Sequence, residues 1–169
     1  MYKYGPRRQL AGMLGLKLLE ATRRSGPALD GLAYIPLHPA RLRARGFNQA
    51  ELLARKLATD LRIPLVDGLE RIRDTPAQVG LNETQRRQNV AGAFRWTAAQ
   101  KPPAALGLVD DVCTTGATLE AAAVACRLAG GGVAAFLVLA SPQTLPPAAV
   151  TSPGKRLSQS ESGEFGCRW

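Results

Sequence analysis

Apolar positions recur at helical spacing in two stretches of the chain. In residues 9–22, Leu10, Met13, Leu14, Leu18 and Ala21 fall near one face and predict a helix. In residues 47–61, Leu52, Leu53, Leu57 and Leu61 supply the apolar side of a second helix, with Asn48 placed to cap it. Short apolar runs bounded by Pro, Gly or polar residues predict strands at 31–35, within 65–72, at 93–97, at 105–109 and at 133–140. A third helix is expected at 117–129, ended by Gly130-Gly131-Gly132. Residues 39–46 read as a basic loop, and the polar, aperiodic stretch 74–89 as a long loop with Pro76 and Gly80 inside it. Loops of that length in a compact domain are usually functional or without fixed structure. From Ser141 onward the chain is rich in Pro, Ser and Gly, and a disordered tail is expected over 143–169. Strands alternating with helices predict an α/β fold with a parallel sheet over residues 1–142, and such sheets bind ligands beyond the carboxyl ends of their strands. No internal repeat interrupts this pattern.

One of those strand ends carries the most specific chemistry. The run Leu106-Gly107-Leu108-Val109 leads into Asp110-Asp111, then Val112-Cys113-Thr114-Thr115-Gly116-Ala117-Thr118 and the start of the third helix. A strand, a small-residue loop and a helix N-terminus in this order collect unpaired backbone N–H groups and the positive end of a helix dipole at one place. That place suits a phosphate. Two neighbouring carboxylates repel a phosphate and each other, so they need another task, such as accepting hydrogen bonds from hydroxyls or holding a metal. A ribose 5-phosphate satisfies both halves.

Composition sharpens this reading only modestly. The chain has 169 residues, 22 Lys+Arg against 13 Asp+Glu and a formal charge of +9, which suits an anionic ligand, phosphate or nucleic acid alike. Aromatic residues are only 5% of the chain, so stacking platforms for single-stranded bases are few. The three cysteines, Cys113, Cys126 and Cys167, form no C-x-x-C pair, so no metal site is read from them. The basic N-terminus lacks a signal-peptide pattern, and the apolar stretch 121–140 is broken by Arg127 and three glycines. A cytoplasmic protein without membrane insertion is expected.

Two further segments carry candidate phosphate chemistry. Leu37-His38-Pro39-Ala40-Arg41-Leu42-Arg43-Ala44-Arg45-Gly46 follows a strand and precedes a helix. Its three arginines can each donate paired hydrogen bonds to a phosphate, and His38, the sole histidine, titrates near neutrality. The long loop carries Arg86 and Arg87, which a closing lid would deliver to an anion while excluding water.

The Asp110–Thr118 run resembles the 5-phosphoribosyl-1-pyrophosphate (PRPP) signature of type I phosphoribosyltransferases. Arg45-Gly46-Phe47-Asn48-Gln49 followed by Ala50-Glu51-Leu52-Leu53-Ala54, and the spacing Thr75/Gln78/Leu81/Arg86/Asn89, make the chain similar to the ComF (GntX) family over about residues 1–142. The resemblance implies a type I phosphoribosyltransferase fold with a flexible loop over the active site, and an association with DNA uptake in competence and use of external DNA. It implies that Asp110 and Asp111 meet the ribose hydroxyls. Thr114, Thr115, Gly116, Ala117 and Thr118 would hold the 5-phosphate. Leu37, His38, Pro39, Arg41, Arg43 and Arg45 would border pyrophosphate, and Arg86 and Arg87 would act on the leaving group. Mg²⁺ would arrive with PRPP rather than on protein ligands. Family members usually begin with a cysteine-rich zinc ribbon before the Lys-Tyr-Gly segment. This sequence begins at Met1-Tyr2-Lys3-Tyr4-Gly5, so zinc is not carried over. Two function classes stay open: a phosphoribosyltransferase, and a non-catalytic PRPP- or nucleotide-binding module that contacts single-stranded DNA or a DNA-uptake protein. The acceptor and the oligomeric state have no sequence signal.

Overall fold

A computed structural model describes residues 5–76, 82–140 and 149–151. In chain order these form α1 (Gly5–Ser25), β1 (Gly31–Tyr34), α2 (Pro39–Arg45), α3 (Gln49–Leu61), β2 (Leu69–Arg71), α4 (Glu83–Val90), β3 (Phe94–Trp96), β4 (Leu106–Val112), α5 (Ala117–Leu128), β5 (Val133–Ala140) and β6 (Ala149–Thr151). β4 lies between β1 and β5, parallel to both, and β6 closes the far edge antiparallel to β5. Beyond β1, Leu65 adds a single parallel bridge to Leu32.

β4 is apolar on both faces because both are covered, as expected of a parallel strand between helical layers. Leu106 and Leu108 pack with Leu119, Ala122 and Cys126 of α5 and with Leu69 and Phe94. Val109 packs on the other face with Leu18, Leu32, Leu53, Leu57 and Leu137. Gly107 stands at a close approach: a Cβ there would lie 2.7 Å from Leu32 Cδ2, so Leu32 would have to shift. The three parallel strands β1, β4 and β5 between helical layers give the expected parallel-sheet α/β architecture. No helix among the described residues is long and apolar enough to cross a membrane.

Several local expectations are corrected. Residues 39–45 are a helix rather than a loop: His38 caps α2, Pro39 stands in its first turn and Gly46 ends it in the left-handed conformation at φ 81°. The second half of the expected 74–89 loop is α4, started by a capping box in which Asn82 and Gln85 satisfy each other's backbone N–H. Residues 77–81, including Gln78 and Leu81, lie outside the described residues. The strands expected within 65–72 and at 93–97 do not join the parallel sheet; β2 and β3 form their own antiparallel pair. β4 continues to Val112, so Asp110 and Asp111 belong to the strand itself. Within the expected tail, Ala149–Thr151 is a strand, and the remainder of 143–169 lies outside the described residues.

Candidate functional site

β1 ends at Tyr34, opposite Val109, so β4 carries its next residues past the edge of its neighbour. Asp110 and Asp111 emerge there. The Asp111 backbone N–H donates to Asp110 Oδ1 at 2.9 Å. Burial of its carboxyl pushes the Asp110 pKa well above the ordinary carboxylate range. The adjacent Asp111 charge adds to this, while the Asp111 N–H and the nearby Arg71 cation oppose it.

The chain then turns through Cys113–Thr115 into α5. Gly116 occupies the N-cap at φ 77° and offers no side-chain cap, so the first amides of α5 are not consumed by one. A cavity of about 280 Å³ opens at this helix start. It is lined by Asp110, Val112, Cys113, Thr114, Thr115, Gly116, Ala117, Thr118 and Leu119, and by Arg86 from α4. Arg86 Nη1 donates to Thr114 Oγ1 at 2.9 Å, which places a guanidinium beside the loop. The Thr115 hydroxyl is buried and meets no hydrogen-bond partner among the described residues. A buried hydroxyl left in that state is costly, and an anion seated on the loop would relieve it. Uncapped amides, a threonine hydroxyl and a cation converge on one cavity, an arrangement whose chemistry suits an anion.

The Cys113 thiol lines the same cavity. Burial raises its pKa, and Cys126, on the buried face of α5, is pushed up to about 11 for the same reason. At neutral pH both are thiols, which suits packing rather than nucleophilic attack.

The remaining predicted site residues have other neighbours. Arg87 pairs with Glu83 at 3.0 Å along α4 and is not among the cavity-lining residues. Leu37, His38, Pro39, Arg41, Arg43 and Arg45 belong to the adjoining segment after β1, outside the cavity lining. His38 Nδ1 accepts from the Ala40 N–H at 3.4 Å, with Asp74 Oδ2 at 3.9 Å. Arg41 donates to Asp74 at 3.1 Å and also to the Thr75 carbonyl. Arg45 lies over the Phe47 ring and bonds Gln49. Asn48 fixes this segment at its far end, accepting from Ala50 N at 3.1 Å and donating to the Ile35 carbonyl at 3.0 Å.

Sequence reading did not single out Arg71. It is only 8% exposed, donates to Thr75 Oγ1 at 2.5 Å and stacks on Phe94 at 5.5 Å. Burial and the Arg41 charge lower its pKa, while Asp74 and Asp110 oppose that. The alternation of Leu69-Glu70-Arg71 in a short strand, with Arg71 on the inward side beside Leu69, was the available signal. No group of three or more His, Cys, Asp or Glu side chains that could hold a metal ion gathers among the described residues.

Fold and site together define an α/β domain with a candidate anion-binding loop at the carboxyl end of a parallel sheet. No family model matches the chain. It is 38% identical over 117 residues to Competence protein F of Haemophilus influenzae, covering 67% of this chain and 51% of that protein. It is 35% identical over 138 residues to DNA utilization protein YhgH of Escherichia coli K12, covering 80% of this chain and 60% of the relative. The chain thus spans about half to three-fifths of the length of these curated relatives. A solved structure, TT1426 from Thermus thermophilus, is 18% identical with a TM-score of 0.43, covering 76% of this chain and 72% of that one. The chain belongs to the ComF family.

Proposed function

We propose that this chain binds PRPP at the loop between β4 and α5 and serves the uptake or use of external DNA, as the names of its relatives suggest for them. The observation that carries the ligand reading is the cradle at Thr114–Thr118: uncapped α5 amides, the Thr115 hydroxyl without a partner among the described residues, and Arg86 at the rim, next to the acids of β4. The 5-phosphate sits on the loop, and Asp110 and Asp111 accept hydrogen bonds from the ribose hydroxyls. Magnesium enters with the substrate's pyrophosphate and neutralises part of its charge.

As a transferase, the chain would let a nitrogen nucleophile attack C1 of the ribose. The C1–O bond to pyrophosphate breaks, its electron pair leaves with pyrophosphate, and the nucleophile's proton passes to solvent. Arg86 is placed to neutralise charge at the loop, a contribution of a few kcal/mol for a positioned cation. Arg41 is engaged by Asp74 and Thr75, so a pyrophosphate contact from it requires exchange of those partners.

A second reading, a non-catalytic module that holds PRPP or a nucleotide while contacting single-stranded DNA or a DNA-uptake protein, draws on α2. That helix buries none of its residues and exposes Arg43 and Arg45. Phosphate-driven DNA affinity would fall steeply with salt and drop in Arg43→Ala/Arg45→Ala. An affinity flat in salt would contradict it. For the ligand, thermal shift with PRPP, ribose 5-phosphate and inorganic pyrophosphate, each with Mg²⁺, is the direct comparison. PRPP and ribose 5-phosphate should both raise the midpoint and PRPP the more. No shift with either would overturn the reading.

A further inference from the structure

The spacing Thr75…Arg86…Asn89 has a structural use that the ligand contacts alone do not explain. α4 is eight residues long and buries only Val90, too little to hold a short helix in place on its own. It nevertheless delivers Arg86 to Thr114. Besides α5 and Arg73, which bonds the Ala91 carbonyl, the chain just before residues 77–81 ties it down. Thr75 is 2% exposed; its hydroxyl accepts from Arg71 of β2 at 2.5 Å, and its carbonyl accepts from Arg41 of α2. Two like-charged guanidiniums from different elements thus converge on one residue. Asp74, bonded to Arg41 at 3.1 Å, supplies compensating charge. The next carbonyl, of Pro76, accepts from Asn89 Nδ2 at 3.0 Å. Asn89 stands three residues after Arg86, so the two side chains lie on neighbouring positions of one helix surface. Fixing Asn89 fixes the rotation of α4 and with it the direction of Arg86. A nearly buried arginine whose Nε lacks a partner among the described residues is an expensive way to hold a loop, unless that loop must be held.

We propose that Arg71, Thr75 and Asn89 form a clasp that positions Arg86 on the Thr114 hydroxyl, making them positioning residues for the anion loop. The proposal rests on that loop being the ligand site. The clasp hands position from β2 to Thr75, through the adjoining Pro76 carbonyl to α4, and from α4 to the loop that precedes α5.

Two measurements on the full chain test it. Amide hydrogen exchange of ligand-free protein compares Thr75→Val and Asn89→Ala with the native chain and with Thr75→Ser, which keeps the hydroxyl. Exchange across α4 should rise about tenfold in the first two, the worth of roughly one net hydrogen bond, with Thr75→Ser near native and α5 unchanged. Unchanged α4 exchange in both variants would overturn the clasp. Calorimetry with Mg²⁺ and PRPP then asks whether the clasp acts through Arg86. Asn89→Ala should weaken affinity about tenfold in the native background and leave it unaltered in an Arg86→Ala background. An equal loss in both backgrounds, or none in either, would overturn the positioning role. Native protein that binds no PRPP would overturn the ligand reading alone, and exchange would then support or sink the clasp by itself.

Discussion

Asp110 and Thr115 are the residues in which the site is least at rest. One is a carboxylate held among protein atoms beside a second carboxylate; the other is a buried hydroxyl without a partner among the described residues. Such groups persist where a ligand completes them. Because the folded state raises the Asp110 pKa, it holds that proton more tightly than the unfolded chain does. Stability from this group is therefore fully present below the unfolded carboxylate range and is lost as pH rises through the elevated folded value. Asp110→Asn, which keeps an acceptor for the Asp111 N–H and cannot ionise, should melt above the native chain at pH 7. The gap should close as pH falls toward 4, about the ordinary carboxylate pKa. A lower melting point for Asp110→Asn at pH 7 would mean that the ionised form is well paired in the fold. The acids, the threonine loop and Arg86 were all legible in the sequence, since they share one signature and one basic segment. Arg71 was not, because a lone arginine in a three-residue strand shows its value only when Thr75 and Phe94 come to meet it.

Among the elements, the two patterns of helical period became α1 and α3, and the apolar runs at 31–35, 105–109 and 133–140 became the parallel strands. Burial on both faces makes such runs conspicuous. α2 and α4 escaped a periodicity reading because α2 buries nothing and α4 buries only Val90. Their caps were nonetheless written in the chain: Pro39 and Gly46 bracket α2, and Asn82 with Gln85 start α4. At this scale Asn48 joins two elements, capping α3 and binding the last carbonyl region of β1 through Ile35. Asn48→Ala removes both bonds and leaves a buried carbonyl unpaired. A loss of about 2–3 kcal/mol in chemical denaturation is expected. A loss below about 0.5 kcal/mol would show that water or a neighbour replaces the amide.

Over the whole molecule, two apolar clusters sandwich one sheet, and the carboxyl end of that sheet gathers β4's acids, the start of α5, α4's Arg86 and the α2 arginines around one side. The whole chain carries a formal charge of +9, and a net charge of that sign attracts anions through its long-range field before any specific contact forms. Whether the chain transfers a ribosyl group or only holds its ligand, both readings require the same event at the same loop. The deciding measurement is titration calorimetry of PRPP with Mg²⁺ into the native chain and into Asp110→Asn/Asp111→Asn. Magnesium-dependent binding to the native chain that the folded double variant loses is the predicted result. No binding to well-folded native protein, or equal binding to both, would contradict the account.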